Sequence, residues 1–150
     1  MLMSTPSAAT IDVLNSLLEA EVNSIFHFVG EGSPLLERAG EEVRRPLEQM
    51  GHHLDRHTQE LAQLIRRLGG RPSNPPAPKA EDQYLSFLSL QFLLPKLVDA
   101  KQLMIQRYRN ALQIVGTDAE VLGVLQRHLS EMEADLEVLK KTAAGVLSHR

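Results

Sequence analysis

The chain has 150 residues, 43% of them hydrophobic and 23% charged, enough for one domain with a sizeable core and too few for a second. Its net charge of −3, with basic residues scattered or interleaved with acids as in Glu41-Glu42-Val43-Arg44-Arg45, and its lack of Trp exclude a nucleic-acid surface built on basic stripes or stacking platforms. No apolar run approaches the roughly 20 residues that span a bilayer, and the lack of cysteine excludes a disulfide framework, a thiolate nucleophile and a Cys-type zinc or iron–sulfur site, which favours a cytoplasmic location.

Residues 1–10 contain no basic segment leading into an apolar one; they read as a short disordered lead, and 11–150 as the folded unit. A first helix is predicted from about Ile11 to Val29, capped by Thr10 and ended by Gly30-Glu31-Gly32, with the seam Ile11, Leu14, Leu18, Glu21, Ile25, Phe28. Ser33-Pro34 opens a short helical piece through Leu35, Leu36 and Ala39. A second long helix tolerates Pro46 only near its first turn, carries the seam Leu47, Met50, Leu54, His57, Leu61, Leu64, Leu68, and stops at Gly69-Gly70. Arg71 to Pro78 is an extended, proline-stiffened connector. Helical periodicity resumes near Glu81 and is expected to kink or break at Pro95. Beyond it the third helix has the seam Leu94, Val98, Lys101, Ile105, Tyr108, Leu112, Val115 and ends at Gly116. Thr117-Asp118-Ala119-Glu120 fits a capping box opening a fourth helix, with the seam Leu122, Leu125, Leu129, Met132, Leu136, Leu139, Ala143, Val146.

No stretch alternates with period two for long enough to form a strand, so the fold class is all-α: a four-helix bundle of two antiparallel αα-hairpins. The second helix is roughly 35 Å long at 1.5 Å per residue. Residues 71–94 can cover that distance, so a long crossover between the hairpins is expected rather than simple up-down-up-down connections.

Glu21 is the most informative residue. A carboxylate in an apolar seam faces other helices, and burying it unpaired costs several kcal/mol, so the core must hold a cation, a metal or a proton donor at its level. Counting along the helices from each turn puts Glu21 and His57 at one height, and Lys101 level with Met132, with Asp135 one turn further. His53 and His57, at i and i+4, offer a zinc or iron site with Glu60 or Glu21. Against this, His52 and His53 read as surface residues at the bundle edge, and the stripe His128, Glu131, Asp135 as a solvated face. For Lys101 the competing reading is a side chain that snorkels out between helices. No Ser or Thr has triad character, and there is no glycine-rich phosphate loop.

Leu14 to Glu21, His57 to Leu61 continuing through Leu68-Gly69-Gly70-Arg71-Pro72, and Lys101 through Tyr108 to Ala111 resemble stretches of the first three helices of the ferritin-like superfamily, in particular bacterioferritin-type and rubrerythrin-type bundles. The resemblance covers about residues 11–147. It implies a ferritin-like four-helix bundle with Glu21 and His57 at ligand positions of a di-iron site. At the other ligand positions this sequence has Leu54, Lys101, Met132 and Asp135, so the di-iron site is expected to be degenerate. An ammonium repels metal ions but is the cation that a buried Glu21 needs; the site then reads as an internal polar cluster of Glu21, His57, Lys101 and Tyr108, with Asp135 nearby.

The expected function is therefore a scaffold or binding protein, leaning away from an enzyme and without a cofactor. Two alternatives stay open. One is an iron-handling bundle, ferroxidase or oxygen- or peroxide-reducing, as the resemblance implies. The other is a mononuclear protein binding iron or another divalent metal through Glu21, His57, Asp135 and His53. The expected partner is a second copy, docked through the first two helices as the resemblance implies. Leu17, Val22, Phe26 and Val29 give the first helix a second apolar face for that contact. No nucleic acid or membrane partner is expected.

Overall fold

The computed structural model describes residues 6–26, 39–73 and 90–148. They form four helices: α1 (Pro6–Val22), α2 (Glu41–Arg67), α3 (Leu90–Ile114) and α4 (Ala119–Ser148), with no strand among the described residues. α1 starts earlier than its apolar pattern suggests, because Pro6 presets the helical φ at the first position. Thr10 lies inside the helix rather than capping it; it is buried and its hydroxyl donates to the Val115 carbonyl at 3.5 Å. α1 also ends sooner, at Val22, where the Ser24 hydroxyl accepts a hydrogen bond from the Phe26 amide at 3.2 Å and offers the backbone a turn instead of a further helical rung. Residues 27–29 of the expected extension, the piece from Ser33 and the onset near Glu81 lie outside the described residues.

α2 and α3 each carry a proline at their sixth residue, Pro46 and Pro95. Only one rung of each ladder is lost there, and both helices run on, so of the kink or break expected at Pro95 the break does not occur. α2 is closed off just past its end by Gly69, whose φ of 87° is the left-handed conformation that glycine adopts freely, and the Gly70 amide reaches back to the Ile65 carbonyl at 2.9 Å. At the start of α4 the cap is Asp118, not the expected Thr117: its carboxylate accepts from the Glu120 and Val121 amides at 3.0 and 3.1 Å.

Side-chain pairs fix the topology. Thr10 meets Val115 and Glu21 meets Tyr108, so α1 and α3 are antiparallel. Glu21 meets His57 and Asn15 meets Arg71, so α1 and α2 are antiparallel. His53–Asp135, His128–Glu60 and Arg67–Glu120 run α4 against α2, and Arg109–Glu133 with Tyr108–His128 set it against α3. α2 and α3 are consequently parallel and diagonal, and the chain must return the length of the bundle between them. This is the predicted crossover. Its first residues are tied to α1, with the Ser73 amide and hydroxyl donating to Asn15 and Glu19, each at 2.7 Å.

Among the described residues the interior is two apolar clusters separated by a polar belt. One gathers Leu14, Leu18, Leu61, Leu64, Ile65, Ile105 and Leu125 at the end where α1 begins; the other gathers Phe26, Leu47, Met50, Leu54, Leu94, Leu97 and Leu139 at the opposite end. Between them lie the buried polar residues Glu21, His57, Lys101, His128 and Asp135. Leu17 and Phe26, proposed from sequence as an external face of the first helix, are buried in the chain's own core and are not available to a partner. No helix of the described residues is long and apolar enough to cross a membrane.

Candidate metal centre

Each belt residue is placed by the apolar seam around it. Leu14 and Leu18 hold one face of α1 to the core, so Glu21, one turn on, enters it as well. Leu54 and Leu61 do the same for His57 on α2, and Leu125 and Met132 for His128 on α4. The α4 stripe is thus no solvated face. His128 and Asp135 are buried because the inward face of α4 runs Val121, Leu125, His128, Met132, Asp135, Leu139, while Leu122, Leu129 and Leu136 lie half-buried beside it. One sequence signal could have revealed His128: Leu125-x-x-His128 repeats the spacing of Leu54-x-x-His57.

The Glu21 carboxylate and one ring nitrogen from each of His57 and His128 lie within 4.8 Å of one another, and all three residues are buried. His57 Nδ1 is 3.3 Å from Glu21 Oε2, and the two imidazoles stack with centroids 4.0 Å apart. From α3 the group that reaches this centre is the Tyr108 hydroxyl, which donates to Glu21 Oε2 at 2.9 Å and lies 3.0 Å from His128 Nδ1. The outer nitrogens face carboxylates: His57 Nε2 is 2.7 Å from Glu131 Oε1, and His128 Nε2 is 2.7 Å from Glu60 Oε1. Arg56 also donates to Glu131.

Electrostatics sort these groups. Burial, reinforced by the neighbouring His57, pushes His128 down to about 4 against the opposing pull of its Glu60 hydrogen bond, so its imidazole is neutral near pH 7. Burial and the Glu21 charge hold Tyr108 well above the usual phenol range, keeping its proton in place. Burial works to raise Glu131, but hydrogen bonds from Arg56 and His57 prevail and hold it below the usual carboxylate range. The Glu131 hydrogen bond in turn raises the Arg56 guanidinium.

The remaining expected residues surround the centre. Lys101 lies two turns from Tyr108, roughly 10 Å along the helix, with its ammonium 4.3 Å from the centre of the Phe26 ring. Burial lowers its pKa while Glu21, Asp135 and Glu131 oppose the shift. His53 and Asp135 form a separate pair, His53 Nδ1 to Asp135 Oδ2 at 2.8 Å, and His53 Nε2 is 3.5 Å from Glu131 Oε2. Glu131 thereby links this outer pair to His57. The outer pair and Glu131 border an open groove of about 960 Å³ between α2 and α4.

No known family profile and no curated protein matches the sequence. The fold matches a crystal structure of bacterioferritin from Desulfovibrio desulfuricans, whose di-iron site was captured after reduction in solution and reoxidation before crystallisation. The TM-score is 0.80 and the identity 18%, over 96% of this chain and 83% of that one. The chain has the ferritin-like four-helix bundle fold.

Proposed function

We propose that this bundle is a mononuclear divalent-metal-binding protein whose ligands are Glu21, His57 and His128. One observation carries the reading: the centre is short of hydrogens. Among the described residues the ring nitrogens of His57 and His128 face Glu21, Glu131, the Tyr108 oxygen and Glu60, while Tyr108 itself bonds to Glu21, which makes five contacts between these groups. Imidazoles in the form that binds a metal supply one N–H each and the phenol one O–H, three hydrogens for the five contacts, and a second proton on His57 would make only four. With the Nε2 protons given to Glu131 and Glu60, the Nδ1 lone pairs of both histidines face inward beside a carboxylate. A divalent cation satisfies that arrangement at once. Carboxylates that orient metal-binding imidazoles through the outer nitrogen are the usual supporting shell of such sites.

The donor set fits. Bonds of about 2.1 Å bring ligand atoms to roughly 3 Å from one another, close to the 3.3 Å between His57 and Glu21. When bound, an ion held by two histidines and one carboxylate keeps open positions, the set that suits ferrous iron. Leu54 and Leu125 argue for a single ion: a di-iron bundle needs a Glu three residues before each of these histidines, and here both positions are buried leucines. Glu60 and Glu131 orient the imidazoles, Tyr108 holds Glu21, and the apolar clusters on either side exclude water. Cobalt(II) titration followed by d–d absorption should saturate at one equivalent in the wild type and lose the band in His57→Ala and His128→Ala; a band unchanged in both variants would remove the site.

A second reading is a metal-free scaffold in which Lys101 neutralises Glu21. It is favoured by the attraction of Glu21, Asp135 and Glu131 for that buried ammonium. The same titration separates the two.

A further inference from the structure

We infer that two copies of this chain pair through α3, antiparallel, about a twofold axis at Leu103. Phe92, Leu103 and Ile114 are each 56% exposed and fall eleven residues apart. Eleven residues make three turns plus about 20°, so the three side chains form a nearly straight stripe roughly 33 Å long. The stripe also carries Lys96, Asp99, Arg107 and Asn110, all exposed.

Its order is self-complementary. Asp99 and Arg107 stand four residues on either side of Leu103, Lys96 and Asn110 seven, and Phe92 and Ile114 eleven. In an antiparallel pair with Leu103 on the axis, Asp99 meets the partner's Arg107 and Arg107 meets the partner's Asp99. Phe92 meets the partner's Ile114, and Leu103 meets the partner's Leu103. Lys96, whose ammonium sits 5.0 Å from the centre of the Phe92 ring, meets a neutral amide. A parallel pair would oppose Asp99 to Asp99 and Arg107 to Arg107, so charge sets the direction. An unrelated partner would not require this symmetry; a second copy does, because a twofold contact presents the same patch from both sides. One helix face is smaller than the roughly 800 Å² per partner of a standard stable interface, so the dimer dissociates on dilution. The pairing is independent of the metal reading.

Sedimentation velocity of the full chain over a concentration series tests it. The wild type should pass from monomer to dimer, and Leu103→Glu, which sets two carboxylates on the axis, should stay monomeric. Asp99→Arg and Arg107→Asp should each weaken the dimer by about tenfold or more, as like charges now meet, and the two substitutions combined should restore it. A wild type that stays monomeric throughout, a dimer indifferent to Leu103→Glu, or a double variant as weak as its parents would overturn the proposal. All three positions are exposed, and circular dichroism of each variant confirms that the helices persist.

Discussion

Burial keeps His128 unprotonated in the folded protein until pH falls to about 4, whereas the unfolded chain takes up the proton near the ordinary histidine value of 6.5. Between those values the unfolded state holds the extra proton, so stability of the metal-free protein falls as pH drops from 6.5 towards 4 and this contribution is flat below. The total is on the order of 3 kcal/mol. Urea unfolding at several pH values should show a steeper acid loss in the wild type than in His128→Gln; parallel profiles would contradict the assignment. Lys101 offers a second test. Lys101→Met removes a charge that repels a bound cation, so metal affinity should rise several-fold while stability changes by about 1 kcal/mol or less. A loss of about 3 kcal/mol or more would instead mark Lys101 as the essential partner of Glu21. Glu21 and His57 were legible because each interrupts an otherwise apolar seam. His128 was not, because α4 has two adjacent apolar rows and Leu122, Leu129 and Leu136 complete a full seam without it. Tyr108 was legible as a member of the polar cluster, but the α3 group expected at its centre was Lys101, two turns away, because the resemblance set Lys101 at the ligand position.

At the scale of elements, the helix ends carry the precision. Gly70 closes α2 against α1 so tightly that an added Cβ would lie 2.8 Å from Ile11 Cγ2 and 3.1 Å from Ile65 Cγ2. Gly70→Ala should therefore cost about 1–3 kcal/mol through overpacking. Gly51→Ala, whose added Cβ meets nothing within 4 Å, should be neutral or stabilising by up to about 1 kcal/mol inside α2. Equal effects of the two substitutions on urea midpoints would show that the α1–α2 contact is looser than described. Helix existence was readable from period alone, since α2, α3 and α4 each repeat apolar residues at three and four. The ends were less so: Pro95 reads as a breaker but sits early enough in α3 to be absorbed, and the Ser24 turn that ends α1 depends on one side-chain oxygen.

For the whole molecule, the two apolar clusters and the belt between them explain how a fold can match bacterioferritin at a TM-score of 0.80 with 18% identity. Seams of leucine in the right register specify the bundle, and many apolar sequences satisfy them. The belt is where identity of residue decides chemistry: two histidines backed by Glu60 and Glu131, one inner carboxylate, and a buried leucine three residues before each histidine. The crossover was foreseen from chain length alone, whereas the exposed α3 stripe emerged only once burial separated it from the core face. The most direct measurement is metal content per chain by elemental analysis, after anaerobic loading with ferrous iron and removal of excess. One iron per chain, lost in His128→Ala, is the result expected of the Glu21–His57–His128 centre; two irons, or none, would contradict it.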